Sequence, residues 1–116
     1  MKILDYILCV LLLLCGCGHT AGTLIGYQGK PELMLWSLSA SLFIFTLGSV
    51  NLIRAGRKHD RPLAIITLVF NLCQVVAALQ FGRIIGNLYD PRVIAFAVIC
   101  LGLSGMSVRS LGAAKA

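Results

Sequence analysis

Charge is scarce in this chain: only 12% of its 116 residues are Asp, Glu, Lys or Arg, about half the share found in a soluble domain. Acidic residues are the scarcest, four against ten basic ones. Serines and cysteines occur near His19, but no carboxylate or nucleophile-elbow sequence accompanies them to orient a triad, so no catalytic residue is assigned. Histidine is limited to His19 and His59, on opposite sides of the predicted fold, which leaves haem without a second histidine ligand. None of the five cysteines forms C-x-x-C; Cys15 and His19 lie one helical turn apart, but two ligands do not make a structural metal site. No metal and no cofactor is therefore expected.

Proline is equally sparse, and its placement is informative. Pro31, Pro62 and Pro91 stand about thirty residues apart, each at the threshold of a run of some twenty mostly apolar residues. Proline suits the first turn of a helix, where its missing N–H would lack an intrahelical partner, and about twenty residues at 1.5 Å rise cross the hydrocarbon core. With 59% hydrophobic residues and a mean hydropathy of +0.93, the pattern predicts an all-α integral membrane four-helix bundle. Its spans are about 3–27, 31–53, 62–86 and 91–112, one transmembrane domain over 1–116. Asp60 and Asp90 precede Pro62 and Pro91 as caps, Glu32 adds negative charge to the second helix's first turn, and Gly29 and Gly56 release the chain. Short connections make consecutive helices antiparallel neighbours, an up-down-up-down order.

Basic residues predict orientation, because retained Lys and Arg mark the cytoplasmic side. Arg54, Arg57, Lys58 and Arg61 occupy the middle loop, and Lys2, Arg109 and Lys115 fall on the same side; Lys30, Arg83 and Arg92 fall on the other. Both termini are expected in the cytoplasm. The net charge of +6 is then a topology signal with anionic lipid headgroups as counterpart. Nucleic-acid binding is not expected, since no aromatic and basic surface accompanies the charges.

Helix one carries an ordered polar face. At 3.6 residues per turn Asp5, Cys9, Gly16, His19, Thr20, Thr23 and Tyr27 share one side and should look inward. Beside them runs Gly18-x-x-x-Gly22-x-x-x-Gly26, a helix-packing ridge that fits either a neighbour in the same chain, helix two or four, or a second copy. Helix three has two polar sides, with Thr67, Asn71 and Gln74 in one half and Gln80, Arg83 and Asn87 in the other. Arg83 is read either as a ligand contact or as a snorkelling cation paired with Glu32 or Asp90.

The predicted topology sets His19, Thr20, Thr23, Trp36, Ser37, Ser41, Gln80 and Arg83 at comparable depth in the outer half. Such a set suits an outward polar pocket for a lipid headgroup, quinone-like molecule or small metabolite, or an interhelical hydrogen-bond network without ligand. At the N-terminus, Leu14-Cys15-Gly16-Cys17 allows a second reading as a lipobox leading to lipidated Cys17. Asp5, the unusual Cys15 and three further spans oppose it.

The four short helices with Gly18-His19-Thr20 in the first resemble several small uncharacterised bacterial inner-membrane families, DoxX-like ones among them. The resemblance implies an inner-membrane location and transfers no activity. Small multidrug transporters are also four-helix chains of this length, but they couple protons through a glutamate deep in helix one, where this chain has none. The expected function is a non-enzymatic, self-associating or accessory membrane-complex subunit. A small transporter component and a membrane-embedded enzyme are the alternatives.

Overall fold

The computed structural model describes residues 1–57 and 59–115, with only the backbone over 113–115. Lys58, assigned above to the orienting loop, lies outside the described residues. Four helices make up the fold: α1 Lys2–Gly26, α2 Pro31–Gly56, α3 Arg61–Ile84 and α4 Pro91–Lys115. Each contains a segment long and apolar enough to cross a membrane, with mean hydropathies of 1.8 to 2.1. Among the described residues there is no strand.

The prolines act at helix starts as the sequence predicts. Pro31 and Pro62 sit in the first turns of α2 and α3, and Asp60 caps α3 by accepting the Leu63 N–H at 3.1 Å. The α3 C-terminus closes by a Schellman turn: the Asn87 N–H reaches the Gly82 carbonyl, the Gly86 N–H reaches that of Arg83, and Gly86 takes φ +72°. Gly29 likewise adopts φ +78°, whereas the left-handed position between α2 and α3 is His59 at +64° rather than Gly56. One boundary moves with consequence. Arg54, read above as loop, lies in the last turn of α2 and is 2% exposed.

Adjacent helices pack as two antiparallel hairpins, α1 with α2 and α3 with α4, joined where α1 meets α4 and α2 meets α3. The Cα trace measures 53 × 23 × 21 Å, long enough for a hydrocarbon core of about 30 Å. Cys9, Leu12, Ile44, Leu47, Val75, Ile99, Cys100 and Leu103 form the apolar centre. Small residues bring α1 and α2 together: Leu13 sits 2.6 Å from where a Gly48 Cβ would be, and Phe45 3.0 Å from that of Gly16. Gly18, Gly22 and Gly26 do not take part. A Cβ at any of the three would meet nothing within 4 Å, so of the two alternatives for the ridge, packing within the chain is not taken. The reason is rotational: α1 turns Asp5, Cys9, Leu12, Gly16 and Thr23 to its neighbours, which leaves the ridge outside.

Polarity is distributed inside-out relative to a water-soluble protein. Asp5, Asn51, Arg54, Thr67, Asn71, Ser104 and Ser107 are buried, while Leu14, Leu42, Val76, Val98 and Leu101 are all more than half exposed. Water would favour the reverse arrangement. Lipid favours this one, since backbone bonds are closed within helices and polar side chains find partners only in the interior.

Candidate functional site

Two polar clusters lie between the helices, at opposite ends of the bundle. The larger surrounds Arg54. Its Nη2 donates to Asp5 Oδ1 at 2.6 Å and its Nη1 to Asp5 Oδ2 at 2.9 Å, a bidentate pair joining α1 and α2. Nη1 also donates to Ser110 Oγ of α4 at 3.1 Å, and Nε and Nη2 to Asn51 Oδ1 at 3.4 Å. Asn51 and Asn71 exchange two amide bonds, 2.9 and 3.1 Å, which bring α3 into the same network. One turn before Asn71 on α3, the Thr67 hydroxyl meets that of Ser107 at 2.8 Å. All four helices are thus bound through one fully partnered guanidinium.

Its chemistry is structural. A buried ion pair offsets the desolvation of its charges only when geometry is good and the remaining donors are occupied, and here both conditions hold. Both carboxylate oxygens of Asp5 are committed to Arg54, and only 9% of the residue is exposed. Cys9 Sγ is 4.0 Å from Asp5 Oδ1 and belongs to the apolar centre.

The second cluster is a seam between α1 and α2. His19 Nδ1 lies 2.7 Å from Ser41 Oγ, and the Thr23 and Ser37 hydroxyls meet at 2.6 Å. Thr20 donates to its own helix, to the Gly16 carbonyl at 2.8 Å. Thr23 and Ser41 are each 3% exposed. Of the eight residues proposed as one outer pocket, these five stand on the seam or beside it. Trp36, Gln80 and Arg83 are exposed instead. The cause again lies in helix phase: α3 turns Ala64, Thr67, Asn71, Gln74, Val75, Ala78 and Gly82 inward, so Gln80 and Arg83 face away.

No family model, no curated protein and no solved structure matches the chain. The likeness to DoxX-like families rests on the residues quoted above alone.

Arg83 pairs with neither Glu32 nor Asp90. Asp90 is engaged by Arg92, whose Nε and Nη2 each donate at 2.9 Å, and that hydrogen-bonded guanidinium holds the Asp90 carboxyl down at about 2. Arg92 also stacks over Phe81 at 5.1 Å. Cys15 and His19 gain no third ligand, for no cluster of three His, Cys, Asp or Glu exists among the described residues.

Half of the Arg54 network is visible in sequence. Helical spacing puts Asp5 on the inward face, but Arg54 directly before Ala55-Gly56 reads as a loop charge. The signal for the other half is Asn51 and Arg54 at i, i+3, at the end of α2 that lies beside the start of α1.

Proposed function

We propose that this chain is a non-enzymatic integral membrane subunit that self-associates through the exposed ridge of α1. The observation that carries this reading is the Gly18, Gly22 and Gly26 surface, which no side chain of its own fold approaches. Glycines at this spacing let two helix backbones approach closely in lipid, where van der Waals contact drives association. A second copy is the occupant tested first, and another subunit of a larger complex follows from the same surface. The apolar coat over a polar interior supports membrane insertion, and the bias of Arg57, Arg61 and Arg109 supports cytoplasmic termini in a bacterial inner membrane.

The transporter alternative requires a water-accessible carrier inside the bundle, and the locked state of Asp5 argues against it. An enzymatic alternative has one supporting contact, His19 with Ser41, but Ser41 is almost wholly buried. The seam fits interhelical hydrogen bonding, a use of Ser, Thr and His that is common in membrane bundles.

Native mass spectrometry of the gently extracted protein tests the proposal. Wild type is expected as a dimer or higher oligomer, and Gly22→Leu as a folded monomer. A monomeric wild type, or an oligomer indifferent to Gly22→Leu, overturns it.

A further inference from the structure

At the end of the bundle opposite the Arg54 network, the α3–α4 turn encloses a shallow hollow of about 370 Å³ lined by Gly82, Arg83, Gly86, Asn87, Leu88 and Tyr89. The Schellman turn fixes its shape. Gly86 in the left-handed region carries the backbone around, and Gly82, with no side chain, lets Leu88 close over α3 at 2.9 Å from where a Cβ would stand. Leu88 and Tyr89 supply apolar lining to the hollow, and Arg83 and Asn87 supply its polar groups.

Two donors on that rim lack acceptors. Arg83 is exposed and has no ion-pair partner among the described residues, because Asp90, the nearest acid in sequence, is held on both oxygens by Arg92. Asn87 accepts the Tyr89 N–H through Oδ1 at 3.0 Å, which directs its amide NH2 elsewhere, with no acceptor among the described residues. Tyr89 itself is 86% exposed and Ile84 82%. Exposed aromatic rings at helix ends are the pattern of a membrane–water boundary, and Trp36, 67% exposed near the start of α2, stands at the same end of the bundle as Tyr89.

We infer that Arg83 and Asn87 form a site for the phosphodiester of an anionic lipid headgroup, with Leu88, Tyr89 and Ile84 against its glycerol and upper acyl carbons. Guanidinium forks match phosphate oxygens in pairs, and an amide NH2 adds a neutral donor. A bare snorkelling arginine would explain the exposed charge alone. It would not explain a second free donor and a preformed hollow beside it. The inference deepens the membrane reading above and rests on it, but does not depend on self-association.

The test is native mass spectrometry of full-length protein in detergent, titrated with phosphatidylglycerol, phosphatidylcholine or inorganic phosphate, with adducts read per protomer. Wild type is expected to retain phosphatidylglycerol over phosphatidylcholine, and Arg83→Gln to lose about tenfold in that retention, the size of one charge-assisted hydrogen-bonded contact. Lys30→Gln, which removes another exposed cation at the same end, should leave retention within twofold. Equal losses in the two variants would reduce the effect to diffuse charge and overturn the site. Retention of inorganic phosphate without preference for phosphatidylglycerol would overturn the lipid assignment. Because adducts are read per protomer, a failure here is separable from a failure to oligomerise.

Discussion

Arg54 and Asp5 meet end to end across the α1–α2 interface, two nitrogens on two oxygens at 2.6 and 2.9 Å, with the arginine 2% exposed. Removing one partner leaves an uncompensated charge inside an apolar bundle. Asp5→Ala is expected to destabilise the fold by roughly 3–5 kcal/mol, while Asp5→Leu combined with Arg54→Met recovers most of that loss. Thermal unfolding of the two variants in one detergent measures the difference. Equal destabilisation by both would show that the pair contributes through more than charge compensation.

The glycines of α1 and α2 divide into two kinds, and mutation separates them. Gly48→Leu must displace Leu13, which already sits 2.6 Å from the Cβ position, so it should lower stability by about 1–3 kcal/mol, the usual range for overpacking. The same change at Gly22 meets open space within the chain and should leave unfolding of the isolated protomer, measured at dilution, unaltered. Matching melting temperatures for the two variants would contradict the packing described.

The hydroxyl seam should matter far less than the ion pair. Interhelical hydrogen bonds in membrane proteins average about 0.6 kcal/mol. Ser41→Ala, which deletes the 2.7 Å contact to His19, should therefore destabilise by about that amount. A loss several times larger, measured by the same unfolding assay, would point to a role for His19 and Ser41 beyond helix contact.

Acidification should act on the α4 start in a narrow window. The Asp90 carboxyl is held at about 2 by Arg92, below its ordinary value of 3.8, so its contribution is complete above that ordinary value and is lost as pH falls through about 2. Asp90→Asn should remove this dependence and, because the contribution is complete at neutrality, should bring exchange near pH 7 up to the level that wild type reaches only in acid. Amide exchange at Arg92 and Val93 between pH 5 and pH 2 reports the change, and a transition above pH 4 would place the carboxyl elsewhere.

Cleavage at the lipobox would carry away everything before Cys17, including Asp5, Cys9 and Leu12. Arg54 would then be buried without its carboxylate and the apolar centre would lose two members. Intact mass should accordingly show Met1–Gly16 retained, with Cys17→Ala altering mass only by the substitution. A shortened, acylated species that disappears in Cys17→Ala would reverse this expectation.

Helix number and the starts of α2, α3 and α4 were legible because proline and apolar length mark them locally, whereas the end of α2 was not. The inward face of α1 was legible too, since Asp5, Cys9, Gly16 and Thr23 repeat at helical spacing. What sequence periodicity could not supply was relative rotation between helices. Gln80 and Arg83 share a depth with His19, yet α3 turns them away, and the choice between Gly16 and Gly18 as the contact glycine depends on about 160° of helix phase, since two residues separate them at roughly 100° each. Arg54 escaped because a cation near a helix end reads as solvated until its partner, 49 residues earlier, is brought beside it.

That separation bears on biogenesis. Asp5 leaves the ribosome long before Arg54, so under the membrane reading proposed above the first segment would enter lipid before its partner is made. The two segments would then form a single unit of insertion, since the acid in the first is answered only by the arginine that ends the second.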